Sequence, residues 1–275
     1  MEAVFTRYLL KANALLTDYS APVEFDSAFP IEASVIIPVK NRRETIADAL
    51  HSALNQKTIK DYNVIVVDNH STDGTTDIID EIAAHDQRVI HIIPEADDLQ
   101  IGGCWNLAAS SPYCGKFCIQ LDSDDVYSGD NTIQKILDTF CFAKCGMVVG
   151  SYTLTDFNLQ TIPPGLIDHK EWTNQNGRNN LLRVNGIGAP RAFYTPLLRK
   201  HPAPNVSYGE DYALALVFSR LYPVGRIFES LYYCRRWRDN SDAQPGSEAK
   251  IRQNLFKDEL RTQEIQERIK LNNGL

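Results

Sequence analysis

The chain has 275 residues, with 28 Lys and Arg against 35 Asp and Glu, a formal charge of −7. Apolar residues make up 43% and charged residues 23%, the balance of an ordinary soluble globular protein. That balance excludes intrinsic disorder, collagen-like repeats and a basic nucleic-acid-binding domain. At about 100–200 residues per domain, one large domain or two small ones is expected, with a core that needs no staples.

The six cysteines (Cys104, Cys114, Cys118, Cys141, Cys145 and Cys234) are sparse. No basic leader precedes them, and no apolar run reaches the roughly 18 residues of a membrane helix. A reducing, cytoplasmic setting is therefore expected. Cys141 and Cys145 stand one helical turn apart. Without a second Cys/His pair nearby they read as small core residues rather than as a zinc site.

Along the chain, Phe5, Tyr8, Leu9, Ala12, Leu15 and Leu16 follow the three-four spacing of an amphipathic helix. A linker with Pro22 and Pro30 follows, so residues 1–32 read as a separate helical segment. From residue 33 onward strand and helix patterns alternate. Ala33–Ile37, closed by Pro38, is a buried strand; Ile46, Ala49, Leu50, Ala53 and Leu54 form one helix face. Asn63–Val67 is the next strand, Ile78, Ile79, Ile82 and Ala83 the next helix, and Val89–Ile93 and Lys116–Leu121 two more strands. Ile133 to Cys141 repeats the helical stripe, and Met147–Val149 is again a strand. This alternation predicts an α/β fold, a parallel sheet with helices on both faces that binds ligands beyond the carboxyl ends of its strands. Residues 155–208, rich in Pro, Asn and Gly, read as loops with short elements. A helix is predicted over 210–221, a strand over 226–234, and a long helix from Ser247 to Leu271 that packs or meets a partner.

Three acidic clusters fall where such a sheet places its chemistry. Asp68 ends the second strand, ahead of Asn69-His70-Ser71-Thr72-Asp73-Gly74-Thr75, which also reads as a turn and helix cap. Asp122-Ser123-Asp124-Asp125 puts three carboxylates in four residues after a buried strand. Like charges so close need solvent or a cation, and Mg²⁺ or Mn²⁺ takes such oxygens together with substrate phosphates. Gly209-Glu210-Asp211 opens a helix, where a carboxylate caps the dipole or serves as a general base.

In this order and spacing, the clusters resemble the family 2 glycosyltransferases, whose GT-A fold is a Rossmann-like, mostly parallel sheet with helices on both faces. Ser34–Pro38 is similar to the family's opening strand, Val67–Thr75 to its V-D-D-G-S-T-D-G-T motif, and Gly102–Asn106 to its glycine-then-Asn segment. Asp122-Ser123-Asp124 matches its D-x-D motif and Gly209-Glu210-Asp211 its E-D motif. The resemblance implies a glycosyltransferase domain over 33–245, with a donor-binding half over 33–127 and an acceptor half over 128–245, then a C-terminal helix over 246–275. Pro38 and Val39 would line the base pocket through backbone atoms. Asp68, Asn41, Asn106, Asp122 and Ser123 would contact the nucleotide sugar. Asp124, with Asp122, would hold Mn²⁺ or Mg²⁺, Asp211 would be the catalytic base, and Glu210 its neighbour near the acceptor.

The chain departs from the family at Asn69 and His70, and it has no His in Tyr232–Ser241. Arg235, Arg236 or Arg238 would supply positive charge to the diphosphate instead, or else are surface charges. The partners implied are a nucleotide sugar, UDP-linked by default, and a saccharide or lipid-linked acceptor, with no nucleic acid. The terminal helical segments are candidates for a homodimer or peripheral membrane contact. Asn185–Arg191 reads as a structural glycine-rich turn or an acceptor loop, and Trp105, Trp172 and Trp237 as core residues or sugar platforms. Two other functions share the pattern. One is a nucleotide-sugar-binding module without turnover. The other is a phosphatase of the haloacid dehalogenase kind, whose D-x-D-x-V fits Asp122–Val126 but normally follows the first strand rather than the fourth. The G-x-G-x-x-G and G-K-[ST] signatures of dinucleotide and P-loop enzymes are missing.

Overall fold

Two apolar runs set the centre of the molecule. In the computed structural model, which describes residues 2–16, 20–237 and 247–274, they become β1 (Ala33–Val39) and β2 (Tyr62–Asp68), joined by α2 (Ile46–Leu54). Ahead of them lies α1 (Glu2–Lys11). The first half continues through α3 (Thr75–His85), β3 (Val89–Ile92), α4 (Ile101–Ser110) and β4 (Phe117–Gln120). Next come β5 (Val126–Tyr127), α5 (Thr132–Ala143), β6 (Met147–Asp156), β7 (Thr161–Ile167), α6 (Gly177–Asn180) and β8 (Arg191–Tyr194). The chain closes with α7 (Thr195–Lys200), α8 (Glu210–Leu221), β9 (Val224–Arg236) and α9 (Ser247–Asn272).

The strands join in one sheet of order β3-β2-β1-β4-β8-β6-β9-β5, with β7 added on β6. β1 to β4, β6 and β9 run one way; β5, β7 and β8 run against them. The sheet is thus mostly parallel, as expected, but mixed in its second half. Its pleat divides the core. Val35, Ile37, Val64 and Val66 join Leu50, Ile136 and Phe140 on one face, while Ile36, Ile65 and Val67 join Trp105, Phe193 and Phe218 on the other. Pro38 does not end β1. It lies beyond the stretch that pairs with β4, so its missing N–H interrupts no ladder on that side.

Two elements that the sequence does not announce form for identifiable reasons. β7 carries Pro163 and Pro164 yet pairs with β6, because it lies at an edge, where a lost donor costs little. Helix α4 contains Gly102 and Gly103, poor helix formers. A Cβ at Gly102 would lie 1.9 Å from the Pro204 carbonyl oxygen, and one at Gly103 would lie 2.4 Å from Asn205 Oδ1. Close approach, not propensity, therefore requires glycine at both.

The six cysteines are free thiols. Cys145 is buried as expected, whereas Cys141, expected in the buried stripe of α5, is exposed, and the stripe closes at Phe140. At the N-terminus Leu9, Ala14 and Leu16 are buried, and the Leu16 N–H donates to Asn179 Oδ1 at 3.0 Å. Asn272, at the end of α9, donates to the carbonyls of Asn13 and Leu15, so the two ends of the described chain meet. The Arg238–Ser241 stretch and the boundary at 245/246 lie outside the described residues.

Candidate active site

A cavity of about 360 Å³ opens where β1 and β4 end and β8 begins, lined there by Pro38, Gln120 and Arg191. The expected Asp122, Ser123, Asp124, Glu210, Asp211 and Arg236 also line it. The D-x-D loop and the E-D turn, 87 positions apart (211 − 124 from the numbering), therefore face a common space.

The D-x-D loop is held from below. Gln120 Nε2 donates to Asp122 Oδ1 at 2.8 Å, and Gln120 Oε1 accepts the Arg191 N–H at 3.2 Å. The Asp122 N–H donates to the Tyr232 hydroxyl at 3.0 Å. Burial raises the Asp122 carboxyl above its ordinary range, with Arg191 and Gln120 opposing the rise. Asp125 is raised well above its range by burial and by the charges of Asp122 and Asp124. Its Oδ1 accepts the Arg235 N–H at 2.7 Å. Asp124 Oδ2 accepts from Trp237 Nε1 at 3.3 Å and lies 3.8 Å from Arg42 Nε.

Among the described residues no group of three or more His, Cys, Asp or Glu could by itself hold a metal ion. The chemistry nevertheless suits a hard divalent cation. Asp122 and Asp124 present carboxylate oxygens to one cavity, crowded by like charge, and such a cation commonly draws its other ligands from water and phosphate.

At the same cavity, Gly209 holds a left-handed φ of +83° as the residue before α8, which places Glu210 and Asp211 in the helix's first turn. Asp211 Oδ2 pairs with Arg191 Nη1 at 3.0 Å, and Asp211 Oδ1 accepts the Tyr212 N–H at 2.6 Å. Burial pulls the Arg191 guanidinium down, but the charges of Asp211, Asp122 and Glu210 outweigh it and its pKa is raised. Glu210 is pushed up to about 8, first by burial and then by Asp211. Its Oε2 is buried with no hydrogen-bond partner.

Several residues expected at the donor lie outside the cavity lining and have partners of their own. Asp68 is wholly buried; its Oδ1 accepts the Ser71 N–H at 3.0 Å and its Oδ2 the Thr76 hydroxyl at 2.6 Å. The carboxylate organises its own loop and does not line the cavity. Asn41, at φ +53°, accepts the Thr72 N–H at 2.8 Å and ties the β1 and β2 loops together. Asn106 bridges to Ala203, donating to its carbonyl at 2.8 Å and accepting its N–H at 2.9 Å. Val39 is buried, with its carbonyl on the Asn69 N–H. Neighbours on a strand point to opposite faces, and so the two arginines part. Arg236 lines the cavity, while Arg235 is 2% exposed, with Nε on the Asp124 carbonyl and Nη1 on Asp48 at 2.7 Å. Arg235 is a clamp under the D-x-D loop.

Other residues reach the site without a motif to announce them. Arg42, His169, Tyr208 and Lys257 line the cavity, as do Asn185 to Ala189, so that loop is a wall rather than a remote turn. Trp105 lines the cavity too, Trp172 is fully buried beneath Arg226, and Trp237 touches Asp124. A signal did exist for Arg191, which follows the glycine-rich turn.

A mostly parallel sheet with a D-x-D loop at its ligand edge defines a GT-A-type fold. Residues 34–201 match the model of glycosyl transferase family 2, and the chain belongs to that family. This membership sets aside the haloacid dehalogenase reading; the matched segment ends before Glu210 and Asp211. TuaG of Bacillus subtilis (strain 168), a glycosyltransferase assigned by name to teichuronic acid biosynthesis, is 33% identical over 121 residues, 44% of this chain and 46% of that protein. The chondroitin synthase of Escherichia coli is 39% identical over 108 residues, 39% of this chain and 15% of that protein. The chain thus spans less than half the length of either. Among solved structures, S. aureus TarS 1-349 in complex with UDP-GlcNAc shares the fold with a TM-score of 0.64 at 20% identity, over 78% of this chain and 61% of that one. The mannosyltransferase PcManGT of Pyrobaculum calidifontis, in complex with GDP-Man and Mn²⁺, gives 0.55 at 18% identity, over 90% and 66%.

Proposed function

We propose that this protein transfers a sugar from a nucleotide-diphosphate donor to a hydroxyl of a saccharide or lipid-linked acceptor, by a direct displacement that inverts the anomeric centre. The observation that carries the reading is the shared cavity, lined by Asp122, Asp124 and Asp211, with Arg191 in the electrostatic field of both Asp122 and Asp211. UDP is the default carrier, supported by the fold shared with a UDP-GlcNAc complex.

In this reading Asp211 accepts the proton of the attacking hydroxyl. Arg191 and the Tyr212 N–H each hold one of its oxygens and so fix its direction, leaving a lone pair on each for the acceptor. Glu210, its carboxyl pushed up to about 8 by burial and by Asp211, carries less negative charge beside the base than an ordinary carboxylate would. Arg42 and Arg236 face the space over the D-x-D loop and would meet the diphosphate, whose oxygens suit a guanidinium. Mn²⁺ or Mg²⁺, held by Asp124 and Asp122, would supply counter-charge for the leaving diphosphate; a fold neighbour in complex with Mn²⁺ supports that choice. Among the described residues no helix is long and apolar enough to cross a membrane. We place the protein in the cytoplasm, with a lipid-linked acceptor reached peripherally.

Calorimetry with UDP, with and without Mn²⁺, tests the assignment. Asp124→Asn should abolish the Mn²⁺-dependent gain in affinity, and an undiminished gain would count against it. Donor binding with neither transfer nor hydrolysis would favour the binding-module reading.

A further inference from the structure

Helix α9 lies outside the family-matched segment and takes no part in the chemistry above, yet one of its faces reaches the cavity. Lys257 lines the cavity and donates to the Asn185 carbonyl. Its ammonium sits 4.8 Å from the Tyr208 ring centre and 5.5 Å from that of Tyr212. One turn further on, Arg261 Nε donates to the Tyr212 hydroxyl at 3.0 Å. Arg261 Nη2 donates to the Val184 carbonyl at 3.0 Å and to Asn185 Oδ1 at 2.7 Å. Phe256 and Leu260 cover Gly209: a Cβ there would lie 3.1 Å from the Phe256 ring and 3.9 Å from Leu260 Cδ1.

These four side chains occupy neighbouring positions on one helix face. They grip two segments that are otherwise remote in sequence, Val184–Asn185 at the head of the glycine-rich wall and Gly209–Tyr212 around Asp211. Two like charges at i, i+4 repel. Lys257 and Arg261 are nevertheless placed so; Asp258 pairs with Arg261 Nη1 at 2.7 Å, and the remaining donors of both side chains go to the same two segments. A helix needed only for packing would not require that arrangement.

We infer that α9 fixes the acceptor wall, with Lys257 and Arg261 as positioning residues that hold the Asn185–Gly188 loop in register with the Asp211 turn. The inference rests on the assignment of Asp211 as base, and it makes the last helix part of the acceptor side.

Lys257→Met, Arg261→Met, the double variant and Lys257→Arg, made in the full chain, test it through two separate readouts. In the double variant, amide hydrogen exchange over 184–188 and 208–212 should rise together, by about tenfold or more, with exchange in β1–β4 unchanged. Turnover of a nucleotide sugar that the wild type uses, with UDP-GlcNAc tried first, should fall about 100-fold in kcat, as displacement of a catalytic group by an ångström does. The Kd for UDP with Mn²⁺ should stay within about twofold, since the donor side is untouched, and Lys257→Arg should restore most of the activity. Unchanged exchange in either segment, or a donor Kd that worsens in step with kcat, would overturn the inference. If the double variant does not fold, Lys257→Met alone carries the same exchange test. A wild type that turns over no nucleotide sugar, while the exchange result holds, sinks the glycosyltransferase reading and leaves the clamp standing.

Discussion

The loops after β1 and β2 and the wall opposite them are held by different means. On the first side, Asn41, Asp68, Ser71, Thr72 and Thr76 bond one another across two adjacent loops. On the second, Arg191 reaches Asp211, and α9 reaches back 76 and 77 residues to Asn185 and Val184. A loop that follows a buried strand must first satisfy its own backbone groups, and short polar side chains do so locally. The wall draws on both sources: Arg191 Nη1 donates to the Gly188 carbonyl at 2.9 Å from three residues away, while Val184 and Asn185 are held by long cationic side chains of α9. The carboxylate of Asp68 is therefore committed to Ser71 and Thr76 close by, whereas Asp211 and Asn185, which line the cavity, are also gripped by Arg191 and Arg261 from other elements.

Substitutions on the two sides should separate them. The largest effect is expected from Asp211→Asn, a fall of about 10²–10⁴-fold in kcat with donor affinity unchanged; single-turnover kinetics beside UDP calorimetry would show whether the wall acts only in chemistry. Arg235→Met comes next. It releases the Asp124 carbonyl and strands a backbone acceptor, at a cost of about 1–3 kcal/mol. Mn²⁺-dependent UDP binding should weaken by about tenfold or more, and an unaltered Kd would mean the D-x-D loop stands without its clamp.

Glu210→Gln should act through pH. Below the ordinary value of 4.5 the carboxyl is protonated in both the folded and unfolded chain. As pH rises from there towards about 8, the unfolded chain gives up the proton and the fold retains it, so stability falls across that window and then levels. The variant should flatten this fall in urea unfolding between pH 5 and 8; an equally steep fall would assign the slope to other groups. The smallest effect is expected from Asn106→Ala, about 1 kcal/mol of stability with no change in UDP affinity. A weaker donor Kd there would return Asn106 to the binding site.

The sheet, its helices and the two acidic turns were legible because their signals are local. A β-branched run such as Asn63–Val67, or a stripe such as Ile133, Ile136, Leu137 and Phe140, states its own burial. The E-D turn follows a glycine that needs a left-handed φ. What stayed hidden depends on long-range packing. β7 was masked by its prolines, and α4 by glycines that make room for Pro204 and Asn205. His169 and Lys257 enter the cavity from segments with no motif of their own. Arg235 and Arg236 looked interchangeable as letters, and only the pairing of β9 with β5 and β6 decides which faces inward.

β8 runs against both of its neighbours in the sheet. A reversed strand shows its entrance where the adjoining strands show their exits. Arg191, the first residue of β8, is thus seated in the ladder itself, beside Gln120 of β4 and opposite Val149 of β6. The cation that pairs with Asp211, the proposed base, is therefore a fixture of the framework. The segment leading into it is fixed from outside the sheet, by Lys257 and Arg261 at Val184–Asn185, so frame and wall meet at this one arginine.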